Sequence, residues 1–144
     1  MPIPTSADLR RLLARARKAS LKAYAPYSGI RVGAAARAAG GKVYTGCNVE
    51  NSSSGLTVCA ERVAVQNAVS AGEEKIVAVA VFSPDMSSIT PCGACRQVMA
   101  EFAGPAKPGL LVIMQGKNGP KTVPLPDLLP EEFNSPKRPK RPNP

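Results

Sequence analysis

The sequence predicts an α/β protein in which a mixed sheet of five strands lies between helices on both faces. Helical and extended patterns alternate along the 144 residues in the order α-β-β-α-β-α-β-β. The run 75–83 is almost continuously apolar, as expected for a strand that is buried on both faces. Apolar residues make up 44% of the chain, which is enough for one domain with its own hydrophobic core.

The first half of the chain predicts a helix, a hairpin and a second helix. Residues 7–23 place apolar side chains at the i, i+3, i+4, i+7 spacing of an amphipathic helix. Residues 31–39 and 42–47 flank two glycines and predict a β-hairpin with a two-residue turn. Small side chains dominate the first of these strands, so a neighbouring element should pack closely against it. After a polar loop, a second helix is expected over 58–71.

The second half predicts two buried strands with a helix between them. The apolar run 75–83 is followed by a helix over 93–103 and a strand over 110–114. Residues 121–123 are expected to form an edge strand, and 126–129 a helical turn. Because helices alternate with the strands, the sheet should be mixed and covered on both faces.

The terminal segments carry the net charge of +9. Residues 1–22 contribute +5, residues 137–144 contribute +4, and residues 23–136 are neutral overall. A basic helix face and a solvated tail account for this distribution, and a polyanion-binding surface is the alternative. The segment 135–144 holds four prolines, so we expect it to be disordered and residues 1–134 to form the folded domain.

The hydropathy pattern indicates neither a membrane span nor a signal peptide. No stretch approaches the ~20 apolar residues that a membrane-spanning helix needs. Arginines interrupt every apolar run near the N-terminus. We therefore expect a cytoplasmic protein without a membrane partner. Reducing conditions in that compartment favour cysteines as metal ligands over disulfides.

Three of the four cysteines have the spacing of metal ligands, and the chain contains no histidine. Cys92 and Cys95 lie at the start of one predicted helix, and Cys59 lies at the start of the preceding one. Helix N-termini favour thiolates over thiols. Three protein ligands leave the fourth position of a tetrahedral zinc ion open for water, which is typical of a catalytic site. Cys47 could close the site, but it has no paired spacing.

Glu61 follows Cys59 by two residues, an offset that can aim its carboxylate at the open position. Without histidine, a carboxylate must act as the general acid and base. A solvated glutamate at a helix start is the alternative. Three thiolates also leave a zinc centre negatively charged. Helix N-termini should compensate part of that charge, Arg62 or Arg96 could donate a hydrogen bond to a thiolate, and we assign the compensating role to Arg62. The alternative for Arg62 is an ordinary surface residue.

The cysteine spacing alone leaves other chemistries open. A Cys-x-x-Cys pair also occurs in redox sites and in structural zinc sites. A structural zinc site usually has a second paired motif, which this chain lacks. A dithiol redox site would need neither Cys59 nor Glu61. The pattern therefore favours a zinc ion that activates water.

Two segments match the zinc deaminase pattern in its three-cysteine form, namely Cys59-Ala60-Glu61 and Pro91-Cys92-Gly93-Ala94-Cys95. Further similarity covers roughly residues 7–133. It is carried by Ala25-Pro26-Tyr27-Ser28, Val32-Gly33-Ala34-Ala35, Thr45 through Asn51, Cys59 through Arg62, Cys92 through Val98 and Leu128-Leu129-Pro130. On these segments the sequence resembles the small cytidine deaminases.

The resemblance implies a zinc-dependent enzyme that acts on a free nucleoside. It implies hydrolytic deamination of cytidine and 2′-deoxycytidine to uridine and 2′-deoxyuridine, a step of pyrimidine salvage. The implied fold has three layers, α/β/α. The implied assembly is a homotetramer with composite active sites and one Zn²⁺ per chain.

The resemblance also implies roles for individual residues. The zinc ligands would be Cys59, Cys92 and Cys95. Glu61 would be the proton shuttle, and the Ala60 backbone would help to hold the base. Asn48 and Glu50 would hydrogen-bond the ribose hydroxyls, and a capped turn is the alternative for this pair.

Two positions depart from the family pattern near the implied nucleoside pocket. Ile30 stands where relatives usually have Phe, and Ser54 where they usually have a Tyr that reaches a neighbouring subunit. Both departures remove an aromatic ring, so the pocket should tolerate bulky groups on N4 or on the base ring. Phe133 stands where relatives carry a late Phe that packs over the base, and a core position is the alternative.

Three other functions stay open at this point. The first is deamination of another cytosine-containing compound such as blasticidin S, although the Asn48 and Glu50 pair argues against it. The second is a polynucleotide deaminase, which would need basic and aromatic residues around its pocket. The neutral middle of the chain argues against such a nucleic-acid partner. The third is a zinc-stabilised binding module that uses the basic tail.

Overall fold

The computed structural model describes residues 3–104 and 107–136, and it contains the predicted five-stranded sheet with helices on both faces. The helices are α1 (Ser6–Ser20), α2 (Ala60–Ser70), α3 (Gly93–Phe102) and the single turn α4 (Leu125–Leu128). The strands are β1 (Gly33–Ala38), β2 (Val43–Cys47), β3 (Ile76–Phe82), β4 (Leu111–Met114) and β5 (Lys121–Pro124). A short 3-10 helix spans Ser54–Leu56.

The basic tail lies almost entirely outside this description. Of the segment 135–144, for which disorder is expected, only Ser135 and Pro136 are described, and both are exposed. Within the described ranges, no helix combines the length and the apolar character needed to cross a membrane.

The sheet is mixed, and its strand order is β2-β1-β3-β4-β5. The pairs β1–β2, β1–β3 and β4–β5 are antiparallel, and β3–β4 is parallel. The start of β1 at Gly33 lies beside Cys47 and Phe82, and the end of β4 at Met114 lies beside Val81. The loops before β1 and after β2, β3 and β4 therefore leave the sheet at one end, which we call the site end.

The side chains of β1 alternate between two cores, because successive residues of a strand point to opposite faces. Ala35 joins the core in which Leu12 and Ala16 of α1 are buried. Ala34 and Ala36 join the larger core on the other face, which includes buried residues of α2 and α3. The protein thus has three layers, with α1 on one side of the sheet and the remaining helices on the other.

Two glycines allow helices to approach the sheet closely. A β-carbon on Gly33 would overlap backbone atoms of α1. A β-carbon on Gly46 would lie 2.5 Å from Ala64 N and 2.7 Å from Ala60 O in α2. Close packing against the small side chains of β1 is therefore confirmed, and β2 shows the same feature next to the helix that begins at Ala60.

Replacing Gly46 by Ala should destabilise the fold. The backbone of α2 cannot give way as a flexible side chain would, so we expect the free energy of unfolding to fall by about 3 kcal/mol, the upper end for overpacking. Urea unfolding followed by circular dichroism measures this change. Gly55→Ala is the control, because a β-carbon there meets no atom within 4 Å. Equal stability of the two variants would contradict the close approach.

Most ends of helices and strands lie within two residues of the expected positions, and two further details differ from the expectations. Helix α1 ends at Ser20 rather than at residue 23, because Tyr24 pairs through its backbone with the segment that follows β2. The hairpin turn is also longer than two residues, since Ala38 N donates to Lys42 O and Gly41 N donates to Ala38 O across a three-residue loop. Gly41 has a φ of 91° there. A glycine in the left-handed region is typical of three-residue hairpin loops.

Candidate active site

Three cysteine side chains converge where α2 and α3 begin. Cys59 is the N-cap residue of α2, Cys92 is the N-cap residue of α3, and Cys95 lies in the first turn of α3. The Cys59 and Cys92 sulfurs are 3.9 Å apart, and those of Cys92 and Cys95 are 3.5 Å apart. All three sulfurs lie within 4.8 Å of one another. The Cys47 thiol is not part of this group and donates to Lys22 O at 3.4 Å.

The geometry of the three sulfurs fits a zinc ion. A tetrahedral Zn²⁺ with Zn–S distances of ~2.3 Å requires sulfurs that are ~3.8 Å apart, close to the spacing found here. Hydrogen bonding to Cys95, with a contribution from Arg62, lowers the pKa of the Cys59 thiol to about 5. The same bond to Cys59 and burial raise the pKa of Cys95. Three sulfurs leave one tetrahedral position open, as in catalytic zinc sites.

Glu61 is buried in the first turn of α2, beside the sulfur cluster. Only 4% of the residue is exposed. Burial raises the pKa of its carboxyl to about 7, and the charge of Cys59 adds to the rise. Its own backbone amide and Arg62 act in the opposite direction. A solvated glutamate at a helix start, the alternative considered from the sequence, does not describe this side chain.

Arg62 provides the positive charge next to the sulfurs. Its Nη2 lies 3.6 Å from Cys59 Sγ and 3.3 Å from Thr57 O. Its Nε is buried and has no hydrogen-bond partner in the described part of the chain. A guanidinium with an unused donor therefore faces the place where the thiolates and an ion would lie. This environment differs from that of an ordinary surface arginine.

Arg96 has a different role from the one considered for it. Its guanidinium donates to Pro91 O at 2.9 Å, to Leu128 O at 2.9 Å and to Thr90 Oγ1 at 3.1 Å. These bonds connect the loop before Cys92 to the end of α4. Of the two arginines considered as charge compensation, the one that contacts a cysteine sulfur is thus Arg62.

The Asn48 side chain follows β2 at the site end and is only 9% exposed. Its Oδ1 accepts from Val32 N at 2.8 Å, and its Nδ2 donates to Ile30 O at 2.8 Å. One N–H and one lone pair of the amide remain available. Asn48 therefore fixes the loop before β1 and keeps hydrogen-bonding capacity for a ligand.

Glu50 binds an earlier part of the same loop. Its Oε1 accepts from Tyr27 N at 3.0 Å and from Ser28 N at 3.1 Å. Its Oε2 accepts from the Ser28 hydroxyl. The Ser28 hydroxyl and amide lower the pKa of the Glu50 carboxyl, so it is ionised at neutral pH. Glu50 thus acts as the cap of this turn, and its carboxylate keeps unused lone pairs.

The other predicted pocket residues occupy different environments. Ala60 is buried at the first position of α2, and Ser54 is exposed in the 3-10 helix. Ile30 is 39% exposed. Phe133 is 72% exposed, which excludes the alternative of a core position. The backbone of Phe133 exchanges two hydrogen bonds with the Gln97 side chain of α3.

Several residues that shape the site carried no individual prediction. Ser28 and Gln97 lie within the segments of family similarity, so that similarity was their only signal. Asp85 and Gln115 lie in no motif. Asp85 forms an ion pair with Arg31, and Gln115 forms hydrogen bonds with the loop that follows β3. In both cases the partners are distant in the sequence. Such contacts become visible only once the strands are placed side by side.

Comparisons with known proteins agree with this site and fold. Residues 6–107 match the family model described as the cytidine and deoxycytidylate deaminase zinc-binding region, which defines the class as a zinc-binding deaminase. The cytidine deaminase of Sporosarcina psychrophila is 44% identical over 127 residues, which are 88% of this chain and 92% of that relative. The chain therefore belongs to the cytidine deaminase family, with zinc as its cofactor.

Solved structures show the same fold. The crystal structure of cytidine deaminase from Burkholderia pseudomallei has a TM-score of 0.78 and 45% identity, and the match covers 86% of this chain and 98% of that one. The crystal structure of cytidine deaminase from Mycobacterium tuberculosis has a TM-score of 0.76 and 42% identity, with 89% and 98% covered. The three-layer arrangement predicted from the family resemblance is thereby confirmed.

Proposed function

We propose that the protein deaminates cytidine and 2′-deoxycytidine hydrolytically to uridine and 2′-deoxyuridine, with release of ammonia, as a step of pyrimidine salvage in the cytoplasm. The observation that carries this proposal is the buried carboxyl of Glu61 two residues after Cys59 in a cluster of three sulfurs. The relatives named above are cytidine deaminases, and they match this chain over most of its length.

The metal-binding residues in this proposal are Cys59, Cys92 and Cys95. When bound, a zinc ion with three protein ligands supplies an activated water at neutral pH. Arg62 and the N-termini of α2 and α3 offset the charge of the thiolates, which would otherwise oppose that activation.

Glu61 is the proton carrier. It takes a proton from the attacking water and delivers it to N3 of the pyrimidine, which makes C4 more electrophilic. It then takes the remaining proton from the hydroxyl now on C4 and passes it to the amino group. The C4–N bond breaks, ammonia leaves, and the C4 carbonyl of uridine forms. A single carboxyl group can perform these transfers in turn, and its burial keeps competing solvent away.

The sugar and base contacts involve the site-end loops. Asn48 and Glu50 have hydrogen-bonding capacity left for ribose hydroxyls after fixing the loop before β1. The backbone of Ala60 would hold the base next to Glu61. The exposed ring of Phe133 would cover the base in this chain or in a neighbouring one.

Exposed apolar side chains support a homotetramer with composite sites. Large hydrophobic residues are exposed in segments that adjoin the site: Tyr24, Tyr27, Ile30, Val49, Leu56 and Phe133. Exposed apolar surface of this kind marks protein interfaces. Sedimentation equilibrium should give a mass of four chains, and a monomer that is fully active would contradict the composite site.

The exposed positions Ile30 and Ser54 should make the pocket tolerant of bulky substrates. We expect N4-acylated cytidine to be hydrolysed at a kcat/KM within about tenfold of cytidine, because one tenfold step corresponds to only ~1.4 kcal/mol of transition-state binding. Ile30→Phe should lower turnover of the acylated analogue more than that of cytidine. Strict rejection of the analogue by the unmodified protein would show that the missing rings do not enlarge the pocket.

A panel of free substrates tests the proposed function against its alternatives. We expect turnover of cytidine and 2′-deoxycytidine, measured as the loss of ultraviolet absorbance, and little turnover of blasticidin S or of cytosine within an oligonucleotide. The basic residues of α1 lie on the opposite side of the sheet from the cysteines, which argues against strand binding at the site. A zinc-stabilised binding module would turn over none of these compounds.

A further inference from the structure

A bidentate ion pair joins two loops at the site end of the sheet. Arg31 precedes β1 and Asp85 follows β3, and these strands are antiparallel neighbours. Asp85 Oδ2 accepts from Arg31 N at 2.8 Å and from Arg31 Nε at 2.9 Å, and Oδ1 accepts from Nη2 at 2.8 Å. One carboxylate therefore holds both the guanidinium and the backbone of Arg31. These bonds lower the pKa of Asp85 to about 2, so the pair is ionised at neutral pH.

The loop that contains Arg31 also contains the groups that orient the proposed ribose-binding residues. Ile30 O and Val32 N hold the amide of Asn48, so Arg31 lies between the two points of contact. The backbone amides of two other residues, which lie earlier in the same loop, donate hydrogen bonds to the carboxylate of Glu50. A displacement of Arg31 would therefore change the position of Asn48 and Glu50 as well.

The loop that contains Asp85 is fixed separately to the sheet. Ser83 is fully buried, and its hydroxyl accepts from Asp85 N at 3.2 Å. Gln115, directly after β4, accepts from Ser83 N at 3.0 Å and donates to Met86 O at 3.1 Å. The same loop continues to Cys92. Asp85 thus offers the loop before β1 a point of attachment that is itself fixed to the sheet.

We propose that Arg31 and Asp85 are positioning residues for the nucleoside pocket, because their ion pair holds the loop 25–32 in the conformation that binds substrate. This inference rests on the proposed function. Exposed ion pairs contribute little to global stability, so loss of this pair should loosen the loop without unfolding the domain. Its effect should appear in KM, while kcat depends on Glu61 and the sulfur cluster.

Three variants remove the pair to different extents. Asp85→Ala removes all three hydrogen bonds, Arg31→Ala keeps the bond from the backbone amide, and Asp85→Asn keeps a neutral acceptor oxygen. Apparent affinity falls in proportion to the fraction of protein in the competent conformation. We therefore expect KM for cytidine to rise roughly tenfold in Asp85→Ala and roughly threefold in the other two, with kcat within about twofold of the parent.

The ion pair Lys42–Glu73 provides the matched control. Its charged atoms are 3.8 Å apart at the opposite end of the sheet, and Glu73→Ala should change neither KM nor kcat. Zinc per chain and the thermal midpoint should be the same in all variants. An unchanged KM in Asp85→Ala would overturn the inference. A loss of zinc and kcat at constant KM would overturn it too, because that result indicates a purely structural role.

Amide hydrogen exchange separates this inference from the proposed function. The amides of Tyr27, Ser28 and Val32 donate to Glu50 or Asn48, and they should exchange faster in Asp85→Ala than in the parent and in Glu73→Ala. Should the parent protein fail to deaminate cytidine, the proposed function fails, while faster exchange still supports the anchoring of the loop. Unchanged exchange of these amides would overturn the anchoring itself.

Discussion

Glu61→Gln should leave the fold and the zinc content unchanged and lower kcat for cytidine by ~10²–10⁴-fold, the usual contribution of a general acid and base. Glutamine has nearly the same shape as glutamate but cannot accept and return a proton. The side chain is buried and lies next to the cysteine cluster, so no nearby solvent can replace it efficiently. Steady-state kinetics together with a metal count per chain measures both parts of this expectation.

The control for this variant is Glu74→Gln, a change at an exposed glutamate between α2 and β3. Its kinetics should equal those of the parent. Unaltered deamination in Glu61→Gln with zinc retained would show that another group moves the proton. Loss of zinc in Glu61→Gln would instead indicate that this carboxylate is a ligand, contrary to its proposed role.

Cys95→Ser should lower bound zinc well below one ion per chain and reduce deamination by roughly three orders of magnitude or more. Without the ion, water keeps a pKa far above neutrality, whereas a zinc ion lowers the pKa of its bound water to about 7, so little nucleophile is available at neutral pH. Cys95 is fully buried in the first turn of α3, and serine cannot supply a thiolate there. Atomic absorption and an activity assay on the same sample measure the two losses together.

Cys47→Ser is the matched control, because it removes a thiol outside the cluster whose hydrogen bond to Lys22 O a hydroxyl can also make. It should keep both zinc and activity. If Cys47→Ser lost zinc to the same degree as Cys95→Ser, the metal site would involve the fourth cysteine and have no open position. Full activity of Cys95→Ser would remove this residue from the metal site.

The sequence was sufficient to predict the elements and the metal-site cluster because both depend on local spacing. The continuous apolar run at 75–83 is itself enough to indicate the buried strand β3, and apolar residues at helical spacing are enough to indicate α1. Cysteines at the starts of two consecutive helices come close together when both helices pack on the same face of the sheet. The carboxylate of Glu61 follows for the same reason, since it is one turn or less from Cys59.

Contacts between distant segments could not be predicted in this way. Arg31 and Asp85 are 54 residues apart, and no local pattern links them. Arg62 and Arg96 each lie next to a ligand run, and the assignment of charge compensation to Arg62 does not follow from spacing alone. They differ in the structure because the Arg96 guanidinium donates a hydrogen bond to Leu128 O of α4 at 2.9 Å, whereas Arg62 contacts a cysteine sulfur. The end of α1 was likewise set by pairing of Tyr24 with a later segment.

We propose that the sulfurs of the three cysteines and Glu61 form a zinc-dependent site for cytidine. The most direct test follows the conversion of cytidine to uridine by purified protein in which zinc has been counted per chain. We expect steady formation of uridine and ammonia in proportion to the zinc content, and loss of this activity on removal of the metal. Folded protein with one zinc ion per chain and no deamination of cytidine or 2′-deoxycytidine would contradict this proposal.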